Sequence, residues 1–350
     1  MIRRFTENVV GMASAAFDRA VTRAVRAATN DRPVPDQHSE ERIEALEAMA
    51  SRYTELRPAD YHLPPVSLSP TQRRVGELGR GVEILDLTWP SAYRCYLSDL
   101  TERYGRTQQN GVAALRLFTR ERPRPLALIV HGYMTGKFAV EQRIWPIGWF
   151  DALGLDVALF VLPFHGTRAD PLHRGAPEFP GKDPRFANEG FRQAMLDLRS
   201  VMRFLRERGH QSLGLLGMSL GGYTASLAAT LDPEIDFLVP IIPLASLADF
   251  ALEQNSLSPA PELAAREHAL LERIHAPVSP LRSPSLLARE RTLVIGARAD
   301  RITPVSHARR IATHLGAPLH TWQGGHLLQF GRSQAFARVA DLLRTLKLAS

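Results

Sequence analysis

A serine between two glycines is the residue in this chain best placed to do covalent chemistry. Ser219 lies in Gly217-Met218-Ser219-Leu220-Gly221, between an apolar run at 213–216 and a helix-favouring stretch at 223–228. An attacking hydroxyl must stand clear of the backbone at a sharp strand-to-helix turn, and glycines two residues away remove side chains that would collide there. The helix N-terminus that follows also favours developing negative charge. The pattern predicts Ser219 as a nucleophile.

A base and an acid follow Ser219 in the last fifth of the chain. His326 comes after two glycines and after the apolar run 319–322, and Asp300 lies in a loop after the β-rich run 292–295. A histidine can take the serine proton, and a carboxylate fixes the histidine tautomer and stabilises the imidazolium that forms. We therefore predict His326 as base and Asp300 as acid. A turn or helix-capping role for Asp300 is the alternative, with Asp249 as the reserve acid.

The order Ser219, Asp300, His326, together with the strand, turn and helix around the serine, resembles the α/β-hydrolase superfamily. The resemblance extends over residues 80–348. It implies a mostly parallel central sheet flanked by helices, a small helical lid insertion and catalysis without a cofactor. No metal site is expected either, because His165 and His173 have no companion ligands at useful spacing.

The resemblance also implies an oxyanion hole. The apolar run 126–130 leads into His131-Gly132-Tyr133, which is similar to the family's H-G-x loop. By this analogy the backbone N–H groups of Tyr133 and Leu220 would bind the tetrahedral oxyanion. His131 is expected to be a structural residue of the loop, and Tyr133 could alternatively serve only as a pocket wall.

Three short segments are similar to the α/β-hydrolase domain-containing protein 18-like group. They are residues 162–168, 217–222 and 324–328. In the first of them, His165 and Arg168 are expected either to line the mouth of the site, as substrate contacts, or to anchor their loop.

The residues between two late strands are too many for a simple connection. Residues 246–288 include a helical stretch, and an insertion at this point commonly forms a lid in the superfamily. We expect Phe250, Leu252 and Leu257 to present an apolar wall to an acyl chain. Met218, beside the nucleophile, is a further expected substrate contact.

The rest of the chain alternates between apolar runs typical of buried strands and helical periods, which predicts an α/β architecture. The helical periods fall at 191–205 and 336–346. The predicted strands are 82–87, 113–118, 126–130, 157–162, 213–216, 237–242, 292–295 and 319–322, the first two as an antiparallel edge pair.

The front of the chain is predicted to be a separate extension. Residues 1–74 form a helical extension and Pro-rich linker, with helices at 1–30 and 40–56, and residues 75–350 form the hydrolase domain. The first helix is amphipathic and basic. Three roles stay open for it: packing against its own domain, self-association with a second copy, or lying on a membrane surface.

Composition restricts the functional class and the location. The net charge of +7 comes from scattered arginines without a basic stripe, so no nucleic-acid partner is expected. A single cysteine, Cys95, excludes an intrachain disulfide and favours the cytoplasm, with peripheral membrane attachment left open. No apolar run reaches the roughly 20 residues of a membrane span. Glu7, Asn8 and Asp18 interrupt the apolar stretch that a signal peptide would need.

These features together predict a serine hydrolase that cleaves a small-molecule carboxylic ester through an acyl-enzyme, with a hydrophobic or lipid-like ester preferred. The same residues would also serve an acyltransferase, a peptidase or a thioesterase. A binding protein with a silent hydrolase fold is the alternative outside enzymology.

Overall fold

A computed structural model describes residues 11–19, 39–79 and 81–349. Within these ranges, nine strands form one sheet in the order β1-β2-β3-β5-β4-β6-β7-β8-β9. The strands are β1 (Thr71–Glu77), β2 (Glu83–Pro90), β3 (Val112–Thr119), β4 (Leu126–Val130), β5 (Asp156–Phe160), β6 (Leu213–Met218), β7 (Phe237–Ile241), β8 (Val294–Ala297) and β9 (Leu319–Trp322).

The sheet is mostly parallel. Strands β4 to β9 pair in parallel, whereas β1, β2 and β3 pair antiparallel with one another and β3 pairs antiparallel with β5. Strands β4, β5 and β7 are buried at every position, as expected where helices cover both faces. Every predicted strand has a counterpart among β2 to β9, with ends that differ by at most three residues.

Helices cover both faces of this sheet. They are α1 (residues 11–19), α2 (Ser39–Ser51), α3 (Pro58–Tyr61), α4 (Thr101–Gly105), α5 (Phe138–Ile144), α6 (Ile147–Ala152), α7 (Pro184–Glu207), α8 (Leu220–Ala228), α9 (Leu247–Glu253), α10 (Pro261–Ile274), α11 (Val305–Leu315) and α12 (Arg332–Thr345). Short 3-10 helices lie at Ser98–Leu100, Gln108–Gly111, Gly166–Arg168, Ala276–Val278 and Arg289–Arg291. One core lies under α7, α8 and α10, and a second lies under α6 and α12.

The longest helix illustrates how local sequence sets the element ends. In α7, Pro184 occupies the first turn, and the Asp183 side chain caps it by accepting from the Arg185 N–H at 3.0 Å. The helix ends at Glu207, and Gly209 follows with φ +114°, a conformation that favours glycine. The glycine thus lets the chain turn away two residues after the last residue of the helix.

The edge strand β1 was not predicted. Its seven residues, TQRRVGE, are exposed or half-buried and carry three charges, so they show no apolar alternation. A register shift between Arg74 and Gly76 marks a bulge in its pairing with β2. Because β1 begins at Thr71, the sheet starts before the domain boundary that we expected at residue 75.

The front helices that the structure describes pack onto this domain. Helix α2 buries Ile43 and Leu46 in the main core and packs against α10, the second helix of the expected lid. It ends at Ser51, earlier than predicted. Of the predicted first helix, residues 11–19 are helical and the remainder lies outside the described residues. None of the described helices combines the length and apolar character needed to cross a bilayer.

We expect Leu46→Ala to lower the free energy of unfolding by about 2–4 kcal/mol, because it opens a cavity between α2 and the core. The matched change Glu44→Ala, at an exposed position of the same helix, should alter it by less than about 0.5 kcal/mol. Urea unfolding measures both. Equal, small effects would show that α2 is detached from the domain in solution.

Candidate active site

Ser219 occupies the turn between β6 and α8 with a left-handed backbone. Its φ is 56° and its ψ is −113°. Its N–H donates to the Ile241 carbonyl at 3.0 Å, while its own carbonyl accepts from the N–H groups of Tyr223 at 3.1 Å and Leu244 at 3.3 Å. The conformation is therefore fixed by the neighbouring strand, by its own helix and by the chain leaving β7.

The two glycines around Ser219 are required by close packing. A Cβ on Gly217 would lie 2.0 Å from the Gly221 oxygen, and a Cβ on Gly221 would lie 2.1 Å from the Val130 oxygen. Any side chain at these positions would force the backbone apart. The glycine pattern thus allows α8 to start directly against the end of β4.

The loop after β4 lies against the serine. An added Cβ on Gly132 would be in ordinary contact with Ser219 Cβ, at 3.7 Å. Tyr133 follows Gly132, and Leu220 follows Ser219 as the first residue of α8, where amides have no partner within a helix. The Tyr133 ring is partly exposed, and its hydroxyl donates to the Pro177 carbonyl at 3.3 Å. Leu220 therefore adjoins Ser219 in the chain, and Tyr133 adjoins the glycine that lies against it.

Asp300 and His326 come together as a hydrogen-bonded pair. His326 Nδ1 lies 2.8 Å from Asp300 Oδ2, and the carboxylate also accepts from the N–H groups of Ile302 and Thr303, each at 2.8 Å. A proton on Nδ1 that points at the carboxylate leaves Nε2 as the acceptor. The His326 side chain is 10% exposed, so the pair is largely sheltered from water.

Ser219, Asp300 and His326 follow β6, β8 and β9 at the carboxyl edge of the sheet, where ligands bind in open α/β sheets. Within the described chain, no hydrogen bond joins Ser219 to His326. Gln329 joins the two loops instead, since its Nε2 donates to the Sδ of Met218, the residue before Ser219, at 3.3 Å and to the His326 carbonyl at 2.9 Å.

Sequence reasoning missed two of the polar residues here. One is Gln329. The other is Thr303, whose hydroxyl lies 3.1 Å from Asp300 Oδ2 and 3.1 Å from His326 Nδ1. A threonine three residues after the aspartate is a common turn pattern. That spacing could have identified Thr303, whereas nothing in the sequence marks Gln329.

The net effect of the surroundings is to raise the pKa of His326 above its ordinary value of 6.5. Burial alone lowers this pKa, but the charge and hydrogen bond of Asp300, with a smaller contribution from the charge of Asp18, outweigh it. The arrangement stabilises the imidazolium form, which is what a base beside a carboxylate requires.

Asp249, the reserve acid, is engaged elsewhere. It lies on α9, where His268 Nε2 is 2.7 Å from its Oδ1 and Arg310 pairs with its other oxygen. Asp249, His268 and Glu272 offer ligand atoms within 4.8 Å of one another, but the Arg310 guanidinium already occupies the carboxylate of Asp249. Asp300, and not Asp249, contacts His326.

His131 anchors its own loop. Its Nδ1 lies 2.7 Å from the Gly132 carbonyl, and its Nε2 accepts from the Leu162 N–H at 3.0 Å. Both ring nitrogens are therefore used within the fold. This geometry agrees with the structural role expected for His131.

His165 and Arg168 are both buried. His165 is 1% exposed and packs between the rings of Tyr133 and Phe179, and burial lowers its pKa to about 3. Arg168 is fully buried and donates to Asp197 at 2.8 Å and to the Asn110 carbonyl at 2.9 Å. The contacts of Arg168 are those of a loop anchor, so the expectation that it lines the mouth of the site is wrong. The burial of His165 against the Tyr133 and Phe179 rings likewise favours the loop-anchor alternative for this residue.

The expected lid wall is only partly present. Leu257 is 4% exposed and belongs to the core, so for this residue the expectation is wrong. Phe250 is partly buried and packs on the same core, whereas Leu252 is 46% exposed. Leu252 and Leu257 line a cavity of about 340 Å³ whose other lining residues are Asn255, Ser258, Pro259 and Ala264.

Part of the chain matches a model of a known protein family. Residues 192–251, which include Ser219, match the family model described as alpha/beta hydrolase domain containing 18. The predicted resemblance to that group is thereby confirmed.

A curated relative is also similar over part of the chain. An uncharacterized protein of Mycobacterium tuberculosis, found in strains CDC 1551 / Oshkosh and ATCC 25618 / H37Rv, is 33% identical over 218 residues. The match covers 60% of this chain and 51% of the relative. The chain spans about half the length of the curated relatives it matches.

Two solved structures share the fold. An acetyl xylan esterase from Paenibacillus sp. R4 gives a TM-score of 0.55 at 16% identity, covering 89% of this chain and 96% of its own. Acetyl xylan esterase 1 from Thermoanaerobacterium sp. JW/SL YS485 gives 0.53 at 15% identity, covering 89% and 99%. The chain has the α/β-hydrolase fold, as predicted.

We expect the His326 imidazole to titrate above pH 6.5, and Asp300→Asn to move its pKa downward, because burial would remain after the carboxylate charge is lost. NMR of labelled histidine, assigned with His326→Gln, measures this. Asp249→Asn is the matched control and should leave the titration unchanged. An unaltered pKa in Asp300→Asn would contradict the pairing.

Proposed function

We propose that this protein is a serine hydrolase that cleaves carboxylic esters through a covalent acyl-enzyme. The observation that carries the proposal is the His326–Asp300 pair at 2.8 Å, on the same sheet edge as a serine with a left-handed backbone. A strained nucleophile turn and a carboxylate-oriented imidazole are the two parts that serine acyl transfer needs. The solved structures of similar fold also carry the name esterase.

The first half of the reaction forms the acyl-enzyme. Ser219 Oγ attacks the ester carbonyl carbon while His326 Nε2 takes the hydroxyl proton, and Asp300 stabilises the imidazolium. The carbonyl oxygen becomes an oxyanion, which the N–H groups of Tyr133 and Leu220 hold. Each such donor is worth about 3 kcal/mol of transition-state stabilisation. The carbon–alkoxide bond then breaks, and the alcohol leaves with the proton from His326.

The second half releases the acid. His326 takes a proton from water, the resulting hydroxide attacks the acyl carbon, and a second oxyanion forms in the same place. When the bond to Ser219 breaks, the serine oxygen recovers the proton from His326. The enzyme returns to its starting state, and the net reaction consumes one water for each ester. No step draws on a cofactor.

The proposed substrate class is an ester with an apolar acyl chain. The chain leaving β7 touches the nucleophile, since the Leu244 N–H donates to the Ser219 carbonyl, and it enters α9 at Leu247. The end of α9 and the residues after it line a cavity with mainly apolar side chains, of which the exposed Leu252 is the one offered to an acyl chain. The segment that carries this apolar cavity thus follows, in the chain, the residue that contacts the serine. This continuity supports the preference.

Labelling by a fluorophosphonate probe tests the nucleophile. We expect the wild type to be labelled and Ser219→Ala not to be, with a loss of kcat on the order of 10⁶-fold for a p-nitrophenyl ester. Ser226→Ala is the matched control, since Ser226 lies buried on the same helix and hydrogen-bonds to the Gly222 carbonyl. Absence of labelling in the folded wild type would overturn the hydrolase proposal and favour a binding protein.

A p-nitrophenyl ester series tests the substrate class. We expect kcat/KM to rise by up to about fourfold for each methylene added up to medium chain length, since a buried methylene is worth about 0.8 kcal/mol. Leu252→Gln should flatten this rise, whereas Leu286→Gln, at an exposed leucine that does not line the cavity, should not. A rate that falls steadily from acetate would contradict the apolar preference.

A further inference from the structure

Helix α1 places a buried carboxylate on the two loops that carry Asp300 and His326. Asp18 is fully buried. Its Oδ2 accepts from the His326 N–H at 2.8 Å and from the Arg301 N–H at 3.3 Å, and its Oδ1 accepts from the Leu327 N–H at 3.1 Å. One side chain therefore joins the loop of the acid to the loop of the base.

The fit between α1 and the His326 loop is close. A Cβ on Gly325 would lie 2.9 Å from Asp18 Oδ2 and 2.9 Å from Ser14 Cβ, so only glycine leaves room for the helix here. Ser14 Oγ donates to the Leu328 carbonyl at 3.2 Å. At the start of the helix, the Cβ position of Gly11 is 3.6 Å from the Gln323 carbonyl oxygen. Helix α1 thus follows the whole turn that presents His326.

The buried N–H groups of the two loops need a hydrogen-bond acceptor, and Asp18 provides it. Backbone N–H groups buried without a partner are costly, and a carboxylate is a strong acceptor for several of them at once. Two of the three amides belong to His326 and its neighbour, so the direction of the loop depends on the position of Asp18. Small movements of this loop would affect the reaction, because a displacement of about 1 Å in a catalytic group can lower the rate 10²-fold.

We propose that Asp18 is a positioning residue of the active site, which holds the His326 loop against the Asp300 loop, and that α1 is part of the catalytic apparatus. The proposal rests on the proposed hydrolase function. Of the three roles left open for the front helix, it commits the described residues to packing against their own domain.

Asp18 also acts on His326 through its charge. Among the described residues, the charged groups that face His326 are Asp300 from the loop after β8 and Asp18 from α1. Both favour the imidazolium, so loss of the Asp18 charge lowers the pKa of His326. The active form has neutral His326, and the acid limb of the pH–rate profile then moves to lower pH. A merely structural role for Asp18 would not move this limb.

Asp18→Asn tests the proposal, since it keeps the shape and removes the charge and one acceptor oxygen. With a p-nitrophenyl ester, we expect kcat to fall by about 10- to 100-fold with KM little changed. We also expect a lower pKa for His326, both by histidine NMR and in the acid limb of kcat/KM. Gly325→Ala, which displaces α1 without altering a catalytic side chain, should lower kcat as well and serves if Asp18→Asn does not fold.

Asp156→Asn is the matched control. Asp156 is likewise a buried carboxylate that accepts from a backbone N–H, that of Arg124 at 3.2 Å, but it starts β5 at the opposite edge of the sheet. It should lower thermal stability without moving the His326 pKa. The proposal is overturned if Asp18→Asn leaves kcat and the pKa unchanged, or if the two variants lose activity equally with the same pKa as wild type.

The NMR titration separates this inference from the hydrolase proposal. If the wild type shows no Ser219-dependent hydrolysis but Asp18→Asn still lowers the pKa of His326, the hydrolase function fails and the coupling of Asp18 to His326 is supported. If the wild type hydrolyses esters and neither kcat nor the pKa responds to Asp18→Asn, the positioning role fails alone.

Discussion

The left-handed backbone of Ser219 is the constraint on which the rest of the site depends. A non-glycine residue in such a conformation costs on the order of 1–3 kcal/mol and persists only where its surroundings fix it. Here Ile241, Tyr223 and Leu244 hold it through three backbone hydrogen bonds. Because these partners belong to β7, α8 and the chain towards α9, the turn cannot relax without disturbing the centre of the sheet. The buried strand β7, through Ile241, therefore helps to hold Ser219 in this conformation.

The remaining site residues are supported by buried polar contacts at the same sheet edge. Thr303 lies beside both Asp300 and His326, and Gln329 joins the His326 loop to Met218. Further back, the Arg168–Asp197 pair fixes the loop after β5. Removing one partner of a buried ion pair leaves an uncompensated charge and costs about 3–5 kcal/mol of folding free energy. Neither Arg168 nor Asp197 can therefore be replaced without a large loss of stability.

Local sequence signals were sufficient to predict the central strands and the contact between Asp300 and His326. Apolar runs bounded by glycine predict β4 and β6 because both faces of those strands are covered. The same reasoning fails for β1, which is polar because it lies at an exposed edge. It also fails for Arg168, whose burial depends on Asp197, a partner on a distant helix. A charge on a basic amphipathic helix gives no sign that Asp18 will be buried against a loop 308 residues away.

That separation has a consequence for how the protein is made. Chains are synthesised from the N-terminus, and contacts between remote segments form only after the entropy of closing a long loop has been overcome. Asp18 leaves the ribosome long before its loop partner at His326 exists. The contact between Asp18 and the His326 loop can therefore form only after residue 327 has been added, later than the backbone contacts of Ser219, which involve residues up to 244. Docking of α1 against the loop of His326 is thus a late event in the folding of the described residues, because it requires both segments.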